Sequence, residues 1–414
     1  MSKRTVVIGA GMIGLLCGLE LRHAGHDVVI LDRRHVGSGS SSGNAGWIVP
    51  SMSAPVPAPG LIGTSLRWLL QRGSPLAISP KLALSSPEWL LSFARHCREE
   101  PHRRGHRAML DLSREAFQSF DRLKELGVDF EVERRGVLFL SKEQRSLESA
   151  LAGISKVTSI GHAPPVLLDR YELREIEPAL SGVSAGAVYV REEQMTRPEA
   201  LVTSIRKRGE RCGVVIVEDA EVTGATFDRE RIVAVHTAER SFQADCAVIT
   251  AGAWSGEVGK RFGIRLPVIA GKGYSITIEE PAINPRISWD LIDERVAITP
   301  FPGALRLAGA MELTGPNSTV NRRRLHNIWH NARPYFRERP HGKAARAWVG
   351  LRPMTPDGLP IIGRYPAFEN LYVATGHGML GLTLGPVTAQ IVADQVAGRE
   401  TFVDAEAFAP DRFQ

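Results

Sequence analysis

Three features of the sequence predict a mixed α/β (α+β) fold of two domains. The first is a complete strand–helix–strand unit at the N-terminus. The second is a strand running into a glycine-rich helix start near the C-terminus, and the third is a series of short strands between them. The length of 414 residues exceeds one ordinary domain and suits two. An apolar fraction of 43% with 23% charged residues is that of a globular protein.

The N-terminal unit reads residue by residue. Thr5-Val6-Val7-Ile8 is a β-branched run suited to a buried parallel strand, and it breaks at Gly9-Ala10-Gly11. Apolar residues at helical spacing follow, from Met12 and Ile13 through Gly14, Leu16 and Leu19. Val28-Val29-Ile30-Leu31 makes a second strand, which Asp32 closes. Gly9 permits a tight turn, Gly11 lets backbone amides approach a pyrophosphate, and Gly14 lets helix and strand pack closely. The helix N-terminus points N–H dipoles at phosphate, and Asp32 is placed to accept from a ribose. This is a Rossmann-like nucleotide site. It does not separate FAD from NAD. Arg33 and Arg34 would suit a 2′-phosphate, but Asp32 would repel one, so NADP is the least favoured.

Beyond the second strand lies Ser40-Ser41-Ser42-Gly43-Asn44-Ala45-Gly46-Trp47. Here the sequence resembles the FAD-dependent amino-acid and amine oxidoreductases, the D-amino-acid oxidase-like family. In that family such a turn wraps the cofactor phosphates, and Ser41, Ser42, Asn44, Ala45 and Gly46 match it. Val222 resembles the valine whose backbone meets the adenine. The strand ending in Ala251-Gly252-Ala253-Trp254 fits as well. A strand over 370–374 then leads through Thr375-Gly376-His377-Gly378-Met379-Leu380-Gly381-Leu382-Thr383 into a helix expected over 385–396. A second glycine-rich helix start suits the flavin edge that turns negative on reduction, and an NAD enzyme has no need of it. That favours non-covalent FAD. Within the family, the stretch from Pro50 to Ile78 and Lys272-Gly273-Tyr274-Ser275 are most similar to the bacterial D-amino-acid dehydrogenase branch.

The resemblance implies the chemistry. Gly350-Leu351-Arg352-Pro353 resembles the family segment whose arginine grips the substrate carboxylate, a task for which a planar fork is suited. Hydride passes from the substrate α-carbon to flavin N5, and the resulting imine hydrolyses to a 2-oxo acid and ammonia. Protein contributes orientation and desolvation. Tyr274 is the candidate hydroxyl near substrate, His377 a neighbour of reduced flavin through its charge or its backbone, and Trp47 a wall of the site. The expected substrate is a small D-amino or imino acid. A D-proline or hydroxy-D-proline dehydrogenase, a glycine- or sarcosine-type oxidase, and a flavin-binding subunit of a larger complex remain as alternatives.

The FAD domain is expected to be discontinuous, at 1–60, 195–262 and 345–414, with a substrate domain of 61–194 and 263–344. Helices are expected over 61–71, 87–100 and 107–126. Strands are expected over 130–140, 187–190, 274–279, 296–301 and 305–312, which by resemblance form an antiparallel sheet roofing the flavin. Cys17, Cys97, Cys212 and Cys246 form no CxxC pair and read as reduced. The start imitates a signal peptide but carries the glycine turn and no cleavage site, so a cytoplasmic location is expected. Tryptophan and leucine around 68 and 89 allow peripheral contact with the inner membrane, where a respiratory-chain or other acceptor would take electrons. The charge of +6 is mild and scattered, which argues against nucleic acid. The histidine pairs 102/106 and 326/330 lack a metal-site acid and read as surface residues.

Overall fold

The computed structural model describes residues 2–63 and 76–413. Among these residues, a six-stranded sheet runs in the order Ile361–Arg364, Leu371–Thr375, Cys246–Ile249, Arg4–Ile8, Asp27–Leu31, Val215–Val217. All neighbours are parallel except the edge pair 361–364 and 371–375. The strands are continuous apolar runs because both faces are covered. Val7, Ile30 and Val248 join the helices Met12–His23 and Gly381–Ala397 in one core. On the other face Val6, Ile8 and Ile249 pack with Val222, Ile232 and Val235 of a three-stranded antiparallel sheet.

The larger sheet runs Ala344–Met354, Ile269–Glu279, Ala304–Leu313, Val296–Phe301, Ser288–Leu291, Val137–Ser141, Gly186–Val190, Val166–Leu168, with Leu76–Ile78 also beside Ala304–Leu313. It is not purely antiparallel. Ser288–Leu291 runs parallel to Val137–Ser141, and Leu76–Ile78 parallel to Ala304–Leu313. In both cases the partners come from chain segments far apart in sequence, so no hairpin dictates their direction. Ala344–Met354 pairs along its whole length with Ile269–Glu279, which attaches residues 345–354 to this sheet.

Other local differences have plain causes. The helix expected over 87–100 divides into Pro87–His96 and Glu99–Ser113. Pro101 cannot continue a helix but fits the first turn of a new one. Only Val137–Ser141 of the 130–140 strand forms, after Gly136 at φ +74°. The last helix begins at Gly381, a turn earlier than expected. Of the helix expected over 61–71, residues 64–71 lie outside the described residues, as does Trp68. His106 is buried rather than on the surface, and burial pushes its ring down to about 4. All four cysteines are free. No helix among the described residues is long and apolar enough to cross a membrane.

A clamp joins the two sheets. The buried Arg306 donates to the carbonyl of Asn44 at 2.8 Å, to Glu199 at 2.7 Å and to Thr277 at 2.9 Å. Glu199, at the start of the helix Pro198–Arg211, also accepts the Gly43 amide at 3.0 Å. Ser275 and Thr299 donate to the carbonyls of Gly43 and Ala45. Burial raises the Glu199 carboxyl, but Arg306 and these bonds outweigh it and the net shift is downward.

Glu193 lies beside the antiparallel pairing of Trp47–Ile48 with Gln194–Met195 and accepts the Ser51 amide at 2.9 Å. Burial pushes its carboxyl up to about 8 from an ordinary 4.5. Folding therefore takes up a proton between those values, and stability falls as pH rises across that window. Glu193→Gln is expected to abolish the fall and to be more stable than the parent at alkaline pH by on the order of 3 kcal/mol. Denaturant unfolding at both ends of the window checks this, and parallel pH profiles for the two proteins would contradict it.

Candidate active site and cofactor cleft

A cavity of about 900 Å³ opens between the two sheets. Its floor begins at the glycine turn. Gly9 sits at φ +113° with its amide on the Leu31 carbonyl at 2.8 Å. A Cβ on Gly14 would lie 1.8 Å from the Gly9 carbonyl oxygen, so the first helix abuts the turn it leaves. Gly9, Gly11, Met12 and Ile13 line the cavity, whereas Ala10 and Gly14 pack behind them. Asp32 lines it too and accepts the amides of Ala10 at 2.7 Å and Arg34 at 2.8 Å. Burial moves the Asp32 carboxyl upward against these bonds.

The serine-rich turn folds over the helix start. Ser41 lines the cavity and accepts the Met12 amide at 2.7 Å, while Ser42 turns inward to the Gly37 carbonyl at 2.9 Å. The Asn44 side chain donates to the carbonyls of Ser40 and Ser41 and accepts the Gly46 amide, which sets the loop. Asn44, Ala45, Gly46 and Trp47 all face the cavity. The Trp47 indole N–H is buried without a partner among the described residues. At one end lie Val222, Ala251, Gly252 and Trp254, with Arg33 stacked 4.3 Å over the Trp254 ring.

The C-terminal helix enters from the opposite side. His377, Gly378, Met379, Leu380, Gly381 and Leu382 line the cavity; Gly376 and Thr383 do not. Thr383 instead bonds the Trp47 carbonyl and the Val49 amide, fastening that helix to the strand Trp47–Ile48. No side chain among the described residues caps the helix, which leaves its first amides for an acceptor in the cleft. The His377 ring is hydrogen-bonded to Thr388 at 3.0 Å, and burial pushes it down to about 3. Burial thus favours the neutral ring, which suits the backbone role of the two expected.

Arg352 also faces the cavity. A Cβ on Gly273 would lie 2.1 Å from its guanidinium, so glycine there is what makes room. Arg352 donates to the Ala310 carbonyl at 3.0 Å and forms no ion pair among the described residues. Ala310 occupies a bulge at φ +62°, where the pairing of Lys272 with Glu312 and of Tyr274 with Gly309 leaves one extra residue in Ala304–Leu313. Burial lowers Arg352 to about 10, which leaves it charged at neutral pH.

Tyr274 is among the residues that line the cavity, and it is also almost fully buried. Successive residues of a strand face opposite ways, and Tyr274 joins the core on the far face with Trp289 and Leu291. Its hydroxyl donates to Glu312 at 2.5 Å, within a group that includes Arg324 and Lys272. That hydroxyl is committed away from the guanidinium.

Residues 4–395 match the family model described as FAD dependent oxidoreductase. The chain belongs to that family. A D-amino acid dehydrogenase of Bradyrhizobium diazoefficiens is 30% identical over 99% of both chains. Glycine oxidase from Geobacillus kaustophilus superposes with a TM-score of 0.75 at 25% identity, covering 99% of this chain and 98% of that one. L-proline dehydrogenase from P. horikoshii gives 0.78 at 19% identity over 100% and 98%, a likeness of fold.

The FAD-dependent enzyme has a cleft whose residues fit the cofactor. The glycine turn has no room for a Cβ at Gly14, the uncapped start of Gly381–Ala397 faces the space, and Trp47 brings to it a donor without a partner among the described residues. Sequence reading missed Glu199 and Arg306, whose roles appear only when distant segments meet. It also missed Asp290, a carboxyl on the cavity wall in the short strand Ser288–Leu291. Gly14→Ala is expected to cut bound flavin per chain severely, since backbone must move to admit the methyl at a cost of about 1–3 kcal/mol or more. Gly153→Ala, in open space on a helix, is the control. Flavin absorbance after gel filtration reads the result; full occupancy in Gly14→Ala would refute the packing argument.

Proposed function

We propose that the enzyme oxidises the C–N bond of a D-amino acid, giving an imine that hydrolyses in water to a 2-oxo acid and ammonia. One observation carries this reading: a cavity-facing guanidinium without an anionic partner among the described residues, held by a strained carbonyl beside a glycine that clears space for it. A buried cation in this state is costly unless an anion arrives. A substrate carboxylate is such an anion, and a planar fork fixes its orientation. The name of the 30% identical relative supports the D-amino-acid class.

FAD, when bound, supplies the hydride acceptor. Arg352 would orient the substrate so that its α-hydrogen faces that acceptor, and the apolar wall from Trp89 and Phe93 would exclude water. The uncapped start of Gly381–Ala397 would stabilise negative charge in the cleft. In this reading the six-stranded sheet carries the cofactor, through the segments near 1–60, 195–262 and 345–414, less the strand over 345–354 that pairs in the larger sheet. The larger sheet carries the substrate. Leu84 and Leu91, exposed on neighbouring helices, support a membrane-surface acceptor over oxygen.

Arg352→Met tests the assignment. Flavin content is expected to stay at the parent level, while kcat/KM for D-amino acids with a dye acceptor falls about 100- to 1,000-fold. Retention of parental kcat/KM would overturn the carboxylate role.

A further inference from the structure

The larger sheet presents a second charged group to the cavity. Ser275, Ala308, Ala297 and Asp290 pair in direct register across four adjacent strands. Paired residues share a face, and the Ser275 hydroxyl points to the Gly43 carbonyl, so the row faces the cofactor loop. Ala308, Ala297 and Asp290 all line the cavity. The two alanines leave an open trough, and Asp290 stands at its end.

The Asp290 carboxyl makes no hydrogen bond and no ion pair with any described residue. The charged group that acts on it is Arg295, which is exposed at the rim, makes no ion pair with it, and is screened by water. Burial lifts the Asp290 carboxyl to about 6, so above that pH an uncompensated negative charge faces the cavity. Arg352 reaches the trough from the other side, at the Ala310 carbonyl on Ala304–Leu313. Asp290 lies two strands beyond, a lateral separation of roughly 10 Å at the usual strand spacing. A carboxylate and a cation separated by a short alkyl chain would bridge them.

We propose that the trough is a side-chain subsite selecting substrates with a cationic end, in which Arg352 takes the carboxylate and Asp290 takes a side-chain ammonium or guanidinium. This rests on the reading of Arg352 given above. It narrows the substrate class to basic amino acids.

The test uses holoenzyme and two probes that lack an α-amine, hexanoate and 6-aminohexanoate, followed by perturbation of the flavin spectrum above the titration of Asp290. In the parent, 6-aminohexanoate is expected to bind about tenfold or more tightly than hexanoate, as a charge-assisted contact requires. Asp290→Asn should erase that preference by weakening 6-aminohexanoate alone, with hexanoate binding reporting an intact fold and an intact Arg352 site. Equal binding of the two probes by the parent, or a preference that survives Asp290→Asn, would overturn the subsite. Turnover is read separately with D-lysine and its neutral analogue D-norleucine. If the binding preference holds but neither is oxidised, the proposed reaction falls and the subsite stands. If both are oxidised equally well and the binding preference is absent, the reverse is true.

Discussion

The buried guanidinium of Arg306 is the contact on which the site geometry depends. It holds the Asn44 carbonyl and the Glu199 carboxylate at once, and Glu199 in turn holds the Gly43 amide. One ion pair thereby fixes the serine-rich turn to the larger sheet and to the helix Pro198–Arg211. That sheet carries Arg352, and the turn covers the start of the first helix. The position of the cavity-facing Arg352 relative to the glycine turn is therefore set by a contact that involves neither. Breaking such a pair leaves one buried charge uncompensated, which costs several kcal/mol and gives the arrangement its rigidity.

Close approach of backbone is the second constraint, and the glycines follow from it. Gly14 admits the Gly9 carbonyl, Gly273 admits the Arg352 guanidinium, and Gly46 passes the Thr196 carbonyl at φ +76°. Ala310 reaches a similar conformation without being glycine. Its left-handed backbone stores strain at the point where its carbonyl meets Arg352. The neighbouring bulge shifts the register of the strand so that a main-chain acceptor, rather than a carboxylate, holds the guanidinium. An acidic partner there would have neutralised the charge that, under the proposed function, receives the substrate carboxylate.

The parts of the fold legible in the sequence are those fixed by local pattern. The first strand, helix and second strand follow from apolar periodicity and three glycines, and the final helix from the glycines before it. Arg352 was legible only through its motif, because one arginine among many has no local mark. For Tyr274 the sequence does not say which face of the strand its ring takes: it follows Gly273 directly, packs in the core with Trp289 and Leu291, and still borders the cavity. Glu199, Arg306 and Asp290 were illegible for another reason. Each becomes a site residue only through strands and helices that meet across long sequence separations, and a single acid in a four-residue strand has no periodic signal.

Rapid mixing of oxidised holoenzyme with a D-amino acid, its L-enantiomer and its D-amide tests the central claim most directly. The three share a side chain and an amine, and the amide lacks the anion that Arg352 would bind. Loss of the visible flavin band should be at least about a hundredfold faster with the D-acid than with the amide, and faster than with the L-acid. Equal reduction by acid and amide would contradict the account.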